Sequence, residues 1–229
     1  MEIESILPFV LVPLVIAVVA GILYLVWRAE QRRREALRQI AEQLGFEFEP
    51  EANPLSTAEF ARFHLFTQGH GRAAANLLRG QTEREQVLLF DYRYVIGSGK
   101  NRSTHRQTVA ALSLGARATL PAFELRPENI LHKIGSAFGY QDIDFPDYPS
   151  FSSHCLVRGK DEPAVREVFD GTVIEAVENA RGVCIEGGGS WLVIYRAGRR
   201  LAPPRIPEFL EETRGLRSVF AHRAEVRRV

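Results

Sequence analysis

The sequence predicts an α+β protein whose folded part stands behind an N-terminal transmembrane helix. Three observations predict it. Residues 6–27 carry no charged side chain. From about residue 63 apolar residues shift toward every second position, the period of a half-buried strand. After residue 127, helical spacing returns and alternates with short β-rich runs, the order expected of an α+β chain. Composition agrees: 45% hydrophobic and 25% charged residues exclude a disordered, collagenous or disulfide-scaffold chain. The net charge of +1 supplies no global field for nucleic acid. The segments are 1–5, an extracytoplasmic N-terminus; 6–27, the transmembrane helix; 28–45, a juxtamembrane helix; 46–216, a cytoplasmic α+β domain; and 217–229, a basic C-terminal tail.

The run from Ile6 to Trp27 covers roughly the 30 Å hydrocarbon core at about 1.5 Å per residue. A single segment in that medium satisfies its own backbone only as a helix. Pro8 falls in the first turn, Pro13 bends the helix modestly, and Tyr24 and Trp27 suit the interface. A cleaved signal peptide fits less well, because Met1–Ser5 holds Glu2 and Glu4 and no base, and the apolar run continues past Ala20. Arg28, Arg32, Arg33, Arg34 and Arg38 crowd the C-terminal flank. The positive-inside rule therefore places the N-terminus outside and the C-terminal bulk in the cytoplasm, in an inner-membrane, single-pass arrangement. Cys155 and Cys184 are too few for a disulfide framework.

Residues 28–44 continue the helix, with Leu37, Ile40, Ala41 and Leu44 on one stripe and Gly45 as the stop; a stalk docked on its own domain is the favoured reading. Glu49–Thr57 reads as a loop. Strands are expected at Phe63–Thr67, Arg72–Arg79, Gln86–Ile96, Thr104–Leu114 and Ala122–Leu125, forming an antiparallel meander. Pro127–Phe138 reads as a helix, His154–Arg158 as a strand, and residues 161–180 as a helix capped by Asp161 and weakened at Gly171. Val183–Glu186 and Trp191–Arg196 form a hairpin around Gly187–Gly189, and Pro207 to about Phe220 is the last helix.

Motifs with chemistry are scarce. Gly97-Ser-Gly-Lys100 fails as a phosphate loop: Tyr94 stands at the first glycine position, Asn101 follows the lysine, and a strand rather than a helix comes next. It reads as a hairpin tip. That tip is basic, and Lys100, Arg102 and Arg106 are the candidate contacts to an anionic partner or lipid headgroup, against the plainer reading of a solvated turn. Asp142, Asp144 and Asp147 lack the Gly and Glu that a calcium loop needs. No histidine pairs with another His or Cys at zinc spacing, and no nucleophile elbow occurs. The sequence calls for no catalytic residue, no metal and no cofactor. The 26 arginines against 3 lysines are scattered among balancing acids, which reads as a compositional bias.

The segments Phe90-Asp-Tyr-Arg-Tyr94, Gly97-Ser-Gly-Lys100, Leu125-Arg-Pro-Glu128 and the strand-then-helix stretch Phe151–Arg166 together resemble a group of uncharacterised bacterial single-span membrane proteins that share a domain of unknown function, over roughly residues 46–196. The resemblance implies a membrane-tethered cytoplasmic domain and no catalytic residue. The expected function is a membrane-anchored binding or interaction module facing the cytoplasm. Its partners are the lipid bilayer through residues 6–27 and a further membrane or cytoplasmic protein, with no nucleic acid. The rivals are a membrane-tethered enzyme on a lipid-associated or small substrate, and a membrane scaffold; the scaffold is the weaker, because Gly21 is the lone glycine of the apolar run.

Overall fold

The computed structural model describes residues 3–51, 53–82, 85–115, 118–128 and 142–226. One helix, α1 (Ile3–Leu44), carries the chain out of the apolar segment and onto the domain without a break. It ends where Gly45 adopts a φ of 69°, a left-handed conformation that favours glycine. Val12–Leu44 is long and apolar enough to cross a membrane, and the side chains of its apolar window are bare, Leu23 at 64% exposure. Leu37, Ile40 and Ala41 are buried instead. The part of α1 after the apolar segment is thus docked on the domain by the narrow stripe its spacing predicts.

Among the described residues, eight strands make a single antiparallel sheet: β1 (Glu47–Glu49), β2 (His70–Gln81), β3 (Gln86–Ile96), β4 (Ser103–Ser113), β5 (Leu120–Pro127), β6 (Cys155–Gly159), β7 (Cys184–Gly189) and β8 (Trp191–Tyr195). Their order is β1-β2-β3-β4-β8-β7-β5-β6. β2, β3 and β4 form the middle of the expected meander; β1 is a strand the sequence did not predict, and β5 does not extend the meander, because β8 and β7 separate it from β4. The β7–β8 hairpin then inserts between β4 and β5, so the two halves of the chain share one sheet. Gly187 permits part of this closure, because a Cβ there would collide with the ring of Phe123 on the neighbouring strand.

Alternation along the strands divides the residues between two faces. Leu89, Ala110, Leu112, Phe123, Leu125, Leu192 and Ile194 lie in the larger core under the helices. That core is covered by α1, α4 (Glu162–Val168), α5 (Gly171–Asn179) and α6 (Ile206–Val226). Leu88, Phe90, Tyr92, Tyr94, Val109 and Val193 lie in the opposite core, with Phe60, Phe63, Leu65 and Phe66 packed on them. A short helix, α3 (Pro149–His154), precedes β6.

Several expectations are corrected. The stretch Phe63–Thr67 is not a strand: it enters the single-turn helix α2 (His64–Thr67). The helix expected over residues 161–180 is two helices, because the Asp170 side chain accepts the backbone N–H of Val173 and starts a second one. Pro127 closes β5, and the rest of the helix expected at Pro127–Phe138 lies outside the described residues beyond Glu128. Residues 217–226, read as tail, continue α6, with Phe220, Ala221 and Ala224 in the core.

Candidate functional site

Two polar centres occupy opposite faces of the sheet. The first joins α1 to β3. Asp91 is buried and points toward the helix, where Arg33 grips it with a two-pronged pair, Nη2 to Oδ1 at 2.7 Å and Nε to Oδ2 at 2.9 Å. Arg200 approaches from the segment after β8, donating to Asp91 Oδ2 at 2.9 Å and to both oxygens of Glu30 at 2.7 and 2.9 Å. Asn76 reaches both carboxylates, at 2.9 and 3.0 Å. It does so from a bulge in β2, where it takes a φ of 56°, and asparagine tolerates that conformation better than most residues. Thr108 donates to Asp91 Oδ1 and accepts the N–H of Leu201, and Arg33 Nη1 donates to the Leu201 carbonyl. Burial opposes ionisation of Asp91, yet hydrogen bonds from Arg33 and Arg200 hold its carboxyl below the usual range. Glu30 is lowered chiefly by Arg200.

Beyond this junction lies a cleft of about 270 Å³ lined by Glu30, Arg34, Asp91, Arg93, Arg106 and Arg200, with alanines of β2 at its side. Arg93 and Arg106 sit directly opposite each other on β3 and β4. Like charges so placed repel. Neither forms an ion pair among the described residues, and both are exposed. Arg34 contributes a buried Nε with no hydrogen-bond partner among the described residues. The two acids of the cleft are already engaged by Arg33 and Arg200. Going from Leu37 through Arg33 to Glu30, α1 heads for its apolar segment; β3 passes Leu89 and Asp91 in the same sense and then reaches Arg93. The cationic part of the cleft therefore lies on the side of the apolar helix.

The second centre is buried in the other face. Glu124 on β5 and Glu186 on β7 stand directly opposite each other, and Arg126 lies two residues further along β5, on the same face. Glu186 accepts the N–H of Leu65 at 3.1 Å and the hydroxyl of Tyr195 at 3.1 Å. Glu124 pairs with Arg126 and lies 3.5 Å from His64 Nδ1. Arg126 Nη2 approaches the same ring nitrogen at 2.9 Å. Burial, reinforced by the Glu124 charge, pushes the Glu186 carboxyl up to about 8. Burial works the same way on Glu124, but His64 and Arg126 outweigh it and keep that carboxyl low. Two facing carboxyls therefore have their proton affinities pushed apart, a feature common at functional sites. A pocket of about 130 Å³ opens onto them, lined also by Arg62, Arg158 and Lys160.

Of the three residues expected from sequence, Arg106 lines the cleft, whereas Lys100 and Arg102 stay at the exposed hairpin tip outside it. Their neighbour His105 faces away, stacked on Tyr94 at 5.0 Å. The sequence marks Arg34 only as part of the basic flank, and it points to neither Arg93 nor Arg200 as a site residue, because the three are far apart in the chain. Only the strand register, placing Arg93 against Arg106, held a signal that could have found one of them. His64, Glu124, Arg126 and Glu186 were missed for the same reason; alternation of Glu124 and Arg126 within an apolar strand was the available clue.

No protein-family model matches the chain, and no curated protein matches it. Among solved structures, the crystal structure of the mycobacterial trehalose monomycolate transport factor A, TtfA, is similar: the TM-score is 0.56, over 84% of this chain and 94% of that one, at 17% sequence identity. At that identity the likeness shows a shared fold.

Proposed function

We propose that this chain is a single-span membrane protein whose domain lies at the cytoplasmic face and binds the anionic headgroup of a lipid in the Arg34–Arg93–Arg106 cleft. One observation carries this reading: two facing arginines without acidic partners lie on the side of the domain toward a bare apolar helix. An anion relieves their repulsion, and arginine forks suit phosphate oxygens. The fold neighbour is named for transport of trehalose monomycolate, a lipid-related role that agrees with lipid handling here. A helix continuous from Ile3 into the docked stalk supports retention over cleavage. The resemblance to bacterial single-span proteins fits the same picture.

Native mass spectrometry of the full chain in mild detergent tests the cleft. Wild type should retain phosphatidylglycerol over phosphatidylcholine, and the Arg93→Ala/Arg106→Ala double variant should lose at least about ten-fold of that preference, given about 1.5–3 kcal/mol for a hydrogen bond to a charged group. Lys100→Ala/Arg102→Ala should lose less. Equal retention by wild type and the Arg93/Arg106 variant removes the proposal. For topology, alkaline phosphatase fused after Val229 should be inactive and a fluorescent reporter at the same place bright; an active phosphatase reverses the assigned orientation.

The converging carboxyls of the second centre favour one alternative, a membrane-tethered enzyme. Turnover of a lipid-associated substrate that disappears in Glu186→Gln would establish it.

A further inference from the structure

The second centre has a donor geometry that goes beyond headgroup binding. His64, Glu124 and Glu186 each offer one ligand atom, and these atoms all lie within 4.8 Å of one another. Donors around a bound first-row ion sit at about 2.0–2.2 Å from it and so about 3.3–3.6 Å from one another, and binding would draw the three together by up to about an ångström per pair. Both carboxylates are buried, and Oε2 of Glu124, whose side chain is only 6% exposed, has no hydrogen-bond partner among the described residues. Arg126 Nη2 and Gln68 Nε2 both lie within hydrogen-bond distance of His64 Nδ1, at 2.9 and 3.2 Å, so the ion would take the place of these contacts. The pocket beside the three residues has room for water to complete a coordination shell.

We propose that His64, Glu124 and Glu186 bind one divalent first-row transition-metal ion, with Arg126 moving back to hold Glu124 by its outer oxygen. One imidazole and two carboxylates form a mixed nitrogen and oxygen set, which suits Zn²⁺ or Mn²⁺ better than Cu⁺ or an iron–sulfur cluster. The ion would replace a guanidinium as the cation that holds the His64 turn to β5 and β7. It would also set a Lewis acid beneath a pocket whose rim carries Arg62, Arg158 and Lys160, a rim that attracts anions.

The probe is Co²⁺, titrated into the chelator-treated full chain in mild detergent. The expected result is one saturating equivalent with visible d–d absorption, displacement by Zn²⁺, and a thermal midpoint raised by about 5–10 °C at ion concentrations a hundred-fold above Kd. His64→Ala and Glu186→Gln should each weaken binding by at least about 100-fold, as loss of a ligand outweighs the 10–100-fold cost of losing a group that only hydrogen-bonds to one. Glu186→Gln keeps an oxygen to accept from Leu65 and Tyr195, so it decides the matter should His64→Ala fail to fold. Absence of saturable binding to folded wild type overturns the proposal and leaves Arg126 as the resident cation. Binding undiminished in folded Glu186→Gln overturns it equally. Neither result depends on lipid retention at the arginine cleft.

Discussion

Replacing Asp91 by alanine should lower the stability of the chain by about 3–5 kcal/mol, the cost of breaking a buried ion pair from one side. The carboxylate is the shared acceptor for Arg33, Arg200, Asn76 and Thr108. Its loss leaves two guanidinium groups facing each other, one of them Arg33 with only 11% of its side chain exposed. For a chain of this size the midpoint should fall by about 6–20 °C. Denaturant unfolding of the full chain in detergent measures the difference, and Asp91→Asn should fall between the two because the amide cannot neutralise either arginine. The pH dependence has a definite sign. The Asp91 and Glu30 carboxyls are lowered in the fold, so the unfolded chain binds more protons in the acid range. Their contribution is complete above the ordinary carboxylate range and disappears as pH falls through the lowered folded values. Wild type should therefore lose stability below about pH 4 more steeply than Asp91→Ala. Equal stability of the two proteins at neutral pH would show that the junction is held by Leu37, Ile40 and Ala41 alone.

Glu186→Gln should act in the opposite direction at alkaline pH. With chelator present, the folded chain keeps a proton on Glu186 up to about pH 8, whereas an unfolded glutamate releases it near 4.3. Between those values the folded state binds the extra proton, so wild-type stability declines as pH rises, by about 1.4 kcal/mol per unit. Glutamine carries no such proton and has no such slope. It can still accept from Leu65 and Tyr195 and can donate to Glu124. Near pH 5 the two proteins should be close. At pH 8 the variant should be the more stable, by an amount on the order of 3 kcal/mol. Urea midpoints at both pH values provide the check, and parallel curves would refute the assignment of the proton to Glu186.

Much of the secondary structure was legible because burial alternates with a local period. Gln86–Ile96 is read to the residue, with Phe90, Tyr92 and Tyr94 on one face and Asp91 on the other. The same rule misleads at Phe63–Thr67. There, Phe63 and Leu65 mimic a strand, but among the described residues no neighbour strand pairs with them, and Glu186, distant in sequence, accepts the Leu65 N–H. The helix over residues 161–180 fails for a local reason: Asp170 before Gly171 is itself a start signal. In the candidate sites, Arg106 was legible from a short basic cluster. Arg93 gained meaning only when strand register set it against Arg106.

Local order by itself determined the apolar helix, its basic flank, the docked stripe on the stalk and most strands, since each depends on spacing within one segment. Only the tertiary structure decided that the β7–β8 hairpin enters the sheet between β4 and β5. That insertion brings Glu186 against Glu124 and Arg126, under a turn carrying His64, while Arg200 is carried to Asp91. Charges this far apart in the chain meet only through pairing of distant strands, and periodicity carries no information about which strands pair.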